Sequence, residues 1–161
     1  MSTPSKQRKD KDAAKGAVLE MCSVRVGQTL FGVPITHILE ILGSTPAQPV
    51  PLAPGYVGGL VHYRGDVLTT VSLRQLLDLP PTEKPSDILV FDGESGCFGL
   101  LVDAVCDVLT VPSSDFEPNP PTLEGRRRQL FVGAYKLKEG LLVMLNPLQL
   151  DPMCLAAAVA A

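Results

Sequence analysis

The chain has 161 residues, of which 45% are apolar and 19% charged, with few aromatics and no Trp. That length and apolar content indicate a folded domain with a sizeable core and exclude a disordered chain. Residues 1–16 hold five basic and two acidic side chains, whereas the remainder holds nine basic and fifteen acidic ones; a body this acidic argues against nucleic-acid binding.

The leader lacks the apolar segment of a secretory signal, and no apolar run is long enough to span a bilayer. Residues 1–16 read as a disordered basic leader on a cytoplasmic protein without direct membrane insertion. Val18 to Val26 is expected as a strand, followed by a turn at Gly27-Gln28 and a second short strand ending near Val33. Pro34 suits the first position of a brief helical turn, where its missing N–H is not needed. Ile38 to Leu42 then runs extended. Gly43 to Gly55 carries Pro46, Pro49, Pro51 and Pro54 and reads as loop. Gly59 to Tyr63 and Val67 to Val71 flank Arg64-Gly65-Asp66, a hairpin signal in which Gly supplies positive φ. Ser72 is placed to cap a short helix over Leu73 to Leu77.

Pro80 to Pro85 connects to a second set of elements. Ile88 to Phe91, Cys97 to Val102 and Val105 to Val111 read as strands, and Pro112 to Arg128 as one long loop. Phe131 to Leu137 and Leu141 to Leu145 form a closing hairpin. Pro152 to Ala161 reads as a short Ala-rich helix or tail.

The second set repeats the first. Phe31-Gly32 through Glu40-Ile41-Leu42 returns 67 residues later as Phe98-Gly99 through Asp107-Val108-Leu109. Val57-Gly58, Gly65, Val67 and Leu73 are echoed about 75 residues on by Val132-Gly133, Gly140, Leu142 and Leu148, with a one-residue slip fitting almost as well. Two copies imply two similar modules packed together. Five short strands per copy suit a small barrel better than a sandwich, and two barrels with matching apolar faces can share a core.

Catalytic chemistry finds little support. His37 and His62, the two histidines, lack a Cys at ligand spacing. No nucleophile elbow is present, and Val57-Gly58-Gly59-Leu60 lacks the later Gly or Lys of a phosphate loop. The repeat-related acids Glu40 and Asp107 are expected at the exposed rim of each barrel. Cys22, Cys97 and Cys106 lie in apolar segments and are expected to pack as small reduced core residues. Arg126-Arg127-Arg128 reads as a solvated run, with contact to an acidic partner as the second reading. Arg64 stands apart, a charge beside a tight turn in an apolar stretch, where its planar fork can hold a carboxylate.

Taken in order, Phe31-Gly32 with Pro34-Ile35, Ile38-Leu39-Glu40-Ile41, Pro54 to Val67 and Gly99 to Leu109 resemble the CheW-like domain. The resemblance covers roughly Val18 to Leu150. It implies a mainly β fold of two intertwined five-stranded, SH3-like barrels, one domain over 17–152 with subdomains near 17–80 and 86–152, then a tail over 153–161. It also implies a non-enzymatic adaptor without cofactors, linking chemoreceptor cytoplasmic tips to the regulatory domain of a chemotaxis histidine kinase at membrane-associated arrays. Matched motif by motif, Ile38, Glu40, Gly59, Arg64, Gly99 and Val108 fall at positions that contact partners or maintain the contact surface. Departures occur at His62-Tyr63, where Asn-Leu is usual, and at Ser72, where an acid is common. They suit a divergent adaptor serving pili or a second messenger without receptor contact. A small-ligand barrel or enzyme is the rival from another class and would need a deep pocket with convergent polar groups.

Overall fold

In the computed structural model, residues 17–94 and 96–160 are described; the expected basic leader lies outside the described residues. β1 (Val18–Val26) and β2 (Thr29–Pro34) form a hairpin that leads through a single 3-10 turn, Ile35–His37, into β3 (Ile38–Leu42). β4 (Val57–Tyr63) and β5 (Asp66–Ser72) form the next hairpin, followed by the one-turn helix α1 (Leu73–Leu76). Ser72 caps α1 as expected, its hydroxyl accepting from the Gln75 N–H. The second half contributes β6 (Asp87–Gly93), β7 (Gly96–Val102), β8 (Ala104–Pro112), β9 (Phe116–Pro118), α2 (Arg126–Leu130), β10 (Phe131–Leu137), β11 (Gly140–Leu145) and α3 (Pro152–Ala160).

These strands build two sheets, in the orders β8-β1-β2-β11-β10-β9 and β3-β6-β7-β5-β4. Each sheet takes its opening hairpin from one copy of the repeat and its later strands from the other. The registers superpose across the duplication. Val24 faces Phe31 in one hairpin, and Phe91 faces Phe98 in the other. The one parallel pairing in each sheet sets Val143 against Phe31, and Thr69 against Phe98. Both third strands bulge where they meet the opposite hairpin, between Ile38 and Glu40 and opposite Ser23.

Three expectations need correction, the third being the burial of Cys106. The segment Pro112–Arg128 is not one loop: it holds a 3-10 turn at Ser113–Asp115, the short strand β9 and the start of α2. β9 gives the first sheet a sixth strand, because Phe116 finds an aromatic partner in Tyr135 of β10, with ring centroids 5.3 Å apart. The closing hairpins are related by 74 residues, not 75: Val57 pairs with Val71, and Phe131 with Leu145. The second hairpin turns through Lys138-Glu139, so Gly140 opens a strand and does not match Gly65.

The main core lies where the sheets meet. It joins Val24, Val26, Phe31 and Val33 of one sheet to Val71, Leu89, Phe91, Phe98 and Leu100 of the other. Each sheet also has a private core, around Met21, Tyr135 and Leu142 in the first and Val61, Leu68 and Ile88 in the second. Cys22 is buried and Cys97 half-buried, but Cys106 is exposed. Cys106 falls in the bulge of β8 opposite Ser23, in an exposed stretch with Asp107 and Val108 on the edge strand.

Candidate partner-binding rim

β3 is an edge strand of the five-stranded sheet, and its neighbours in sequence alternate between half-buried and exposed. Ile38 packs against the main core, while Leu39 and Ile41 stand 54% and 47% exposed. Glu40 lies half-buried between them. From the other edge of the same sheet the β4–β5 turn brings in Arg64, whose Nη2 donates to Glu40 Oε1 at 3.0 Å. The guanidinium carbon also sits 5.4 Å from the centre of the Tyr63 ring. Strands that are four apart in the sheet order are thus clasped by one ion pair across the mouth of the barrel.

The backbone at this clasp is unusual. Arg64 has φ 50° and Gly65 φ 82°, the left-handed pair of a two-residue hairpin turn that favours Asn-Gly. A bulky side chain at the first position is held against its intrinsic preference. The surrounding electrostatics agree with a maintained contact. The hydrogen bond from Arg64 holds the Glu40 carboxyl below the ordinary carboxylate range. Partial burial, followed by the nearby carboxylate, pushes the Tyr63 hydroxyl up.

Gly59 and Gly99 both lie in the five-stranded sheet at points of close packing. Gly59 is buried with φ 122°, and a Cβ there would lie 2.6 Å from the Gln48 carbonyl oxygen, which crosses directly over it. Gln48 and Leu60 exchange backbone hydrogen bonds of 2.8 Å at that crossing. A Cβ on Gly99 would meet the Ile88 side chain at 2.8 Å and Thr70 at 3.1 Å. Val108 lies elsewhere, 58% exposed on β8 at the edge of the six-stranded sheet. Five of the six expected positions therefore belong to the five-stranded sheet, and Val108 marks the corresponding edge of the other.

The duplication places a second rim around Val108. Asp107 takes the position of Glu40, and Lys138 that of Arg64. Both line an open cleft of about 350 Å³ with Arg25, Leu109 and Leu137. Among the described residues no ion pair joins them. Instead the strand is pinned through its backbone: the buried Ser23 hydroxyl donates to the Asp107 carbonyl at 2.7 Å and accepts from its N–H at 2.9 Å. Sequence reasoning missed Ser23, whose only signal was a hydroxyl inside an otherwise apolar strand.

A second overlooked residue is Asp103. Its Oδ2 accepts from the Gly27 N–H at 2.8 Å and from Arg74 Nη1 at 2.6 Å, and Arg74 Nε reaches the Pro80 carbonyl at 2.8 Å. This staple ties the β1–β2 turn, α1, the inter-module connection and the β7–β8 corner together.

The sequence matches the CheW-like domain family over residues 20–151. The chain belongs to the CheW-like domain family. The chemotaxis protein CheW of Rhizobium meliloti (strain 1021) is 38% identical over 128 residues, covering 78% of this chain and 82% of that protein. The protein PilI of Pseudomonas aeruginosa is 26% identical, covering 74% of this chain and 68% of its own. In structure, the scaffolding protein TtCheW from Thermoanaerobacter tengcongensis superposes with a TM-score of 0.74 at 20% identity, over 83% of this chain and 92% of that one. The CheW-like family is one of scaffolds and adaptors, and the intertwined, mainly β architecture is that of the solved relative. No helix among the described residues is long and apolar enough to cross a membrane.

Proposed function

We propose that this CheW-like chain is a non-enzymatic adaptor that couples chemoreceptor cytoplasmic tips to the regulatory domain of a chemotaxis histidine kinase, recruited from the cytoplasm to membrane-associated arrays. The observation that carries the reading is the Glu40–Arg64 clasp, held by a left-handed Arg at a rim flanked by exposed Leu39 and Ile41. A local rule is broken there without an evident gain in stability, which is the pattern of a site kept for binding. The apolar residues on the edge strand supply area, and the clasped fork supplies directional hydrogen bonds.

In this reading Glu40 and Arg64 meet the partner directly, and Ile38 anchors the strand they stand on. Gly59 and Gly99 keep the crossing segment and the sheet close enough to hold the rim in shape. Val108 presents the second edge. The CheW relative from Rhizobium meliloti, named a chemotaxis protein, supports the assignment.

Affinity capture from native lysate tests it, with wild type and Arg64→Glu as baits and the retained proteins identified by mass spectrometry. Recovery of a histidine kinase and chemoreceptors by wild type, lost with a folded Arg64→Glu protein, is expected. A kinase without receptors would point to an adaptor for a pilus or second-messenger output. Neither partner, or equal recovery by both baits, would overturn the proposal.

A further inference from the structure

The Arg64 side chain is 71% exposed and that of Glu40 33%. An ion pair in such a setting ordinarily fluctuates, because a long side chain gives up rotamer freedom for an attraction that solvent screens. Among the described residues one hydrogen bond, from Nη2 to Glu40 Oε1, holds the fork. With that bond alone the guanidinium could swing about the contact. A partner would then have to immobilise it on binding, at a cost in affinity.

Tyr63 removes that freedom. It ends β4, half-buried, and packs against the private core around Val61, Leu68 and Ile88, so the sheet itself anchors the ring. Neighbouring side chains on a strand point to opposite faces. Arg64 lies over the Tyr63 ring, 5.4 Å from its centre, because the strand ends at Tyr63 and Arg64 takes φ 50°. The left-handed residue at the turn thus brings the guanidinium back onto an anchored aromatic.

The phenol is also a neighbour of the carboxylate. Arg64 first, and the Tyr63 hydroxyl after it, hold the Glu40 carboxyl down. Glu40, Arg64 and Tyr63 therefore form a closed triangle, and the ring is its one corner packed on the core. We infer that Tyr63 is a positioning residue of the rim, its core-anchored ring holding the Arg64 guanidinium against Glu40 so that the fork is set for a partner before binding. The inference rests on the reading of this rim as a partner-binding surface. It adds that Tyr63 acts through Arg64 and is not a contact in its own right.

The test uses the full chain, first without a partner. The NMR order parameter of the Arg64 Nε–H bond should fall in Tyr63→Leu toward that of a freely moving side chain. In Tyr63→Phe, which keeps the ring, it should stay at the wild-type value. Calorimetric titration with a purified kinase regulatory domain and a receptor-tip fragment should then show about 5-fold weaker binding for Tyr63→Leu and near-native binding for Tyr63→Phe. In an Arg64→Ala background Tyr63→Leu should cost nothing further, because the residue it acts through is gone. Circular dichroism checks that each variant is folded. An unchanged order parameter in folded Tyr63→Leu, or additive losses from Tyr63→Leu and Arg64→Ala, would overturn the proposal. So would equal damage from Tyr63→Phe, which would make the hydroxyl the acting group. If neither partner binds wild type, the adaptor reading of the rim fails, and the order parameters alone decide whether Tyr63 positions Arg64.

Discussion

The two sheets follow one backbone plan and finish their rims differently. At the first rim Glu40 and Arg64 close an ion pair of 3.0 Å, and the Arg sits in the left-handed region. At the second, Asp107 and Lys138 occupy the duplicated positions without a clasp, and Ser23 pins the strand by two backbone hydrogen bonds. Asp is one methylene shorter than Glu, and Lys lacks the planar fork that reaches across a mouth. Duplication therefore preserved register, bulges and glycine crossings, while the rim side chains diverged. The two copies differ at the side chains that the shared plan leaves free.

The strongest way to break this comparison is at the paired glycines. A Cβ on Gly59 or Gly133 would strike the backbone carbonyl of Gln48 or Glu117 respectively. Gly59→Ala should cost about 3 kcal/mol in chemical denaturation, since its φ of 122° adds strain. Gly133→Ala should cost somewhat less, and a tolerated Gly59→Ala would show that the crossings are not equivalent supports. Next in size is the Asp103 staple, which joins elements of both sheets. Asp103→Asn weakens its bonds to Arg74 and Gly27 and should cost about 2 kcal/mol in the same experiment. Ser23→Ala should cost about 1 to 2 kcal/mol. Hydrogen exchange should then quicken at the Asp107 amide but not at Glu40, which has no such pin.

The duplication was legible because it recurs as Phe-Gly pairs and apolar spacing that survive divergence. The strands were legible as apolar runs between Gly and Pro, and the Ser72 cap as a hydroxyl just before an apolar turn. Topology was less accessible, because which copy supplies each strand depends on long-range pairing that no local pattern encodes. β9 escaped notice since a three-residue strand between prolines is made by Phe116 packing on Tyr135, not by propensity. Arg64 could be singled out as a charge at a turn, but its partner 24 residues away could not be read from spacing. Asp103 was hidden for the same reason: its contacts reach Gly27 and Arg74, far off in sequence.

The smallest predicted effect concerns protonation. The Glu40 carboxyl titrates below its ordinary range because Arg64 donates to it. Its contribution to the clasp is present above the unfolded carboxylate pKa and is lost as pH falls through the depressed folded value. Arg64→Ala should raise the Glu40 pKa toward the ordinary range in an NMR titration, while Lys138→Ala should leave it unmoved.

The most direct test of the account compares the two rims in one binding measurement. Calorimetric titration of wild type, Arg64→Glu and Lys138→Glu against a purified kinase regulatory domain and a receptor-tip fragment would separate them. A loss of about 30-fold is expected for Arg64→Glu toward at least one of these partners, with little change for Lys138→Glu. Equal affinities for all three folded proteins, or a loss confined to Lys138→Glu, would contradict it.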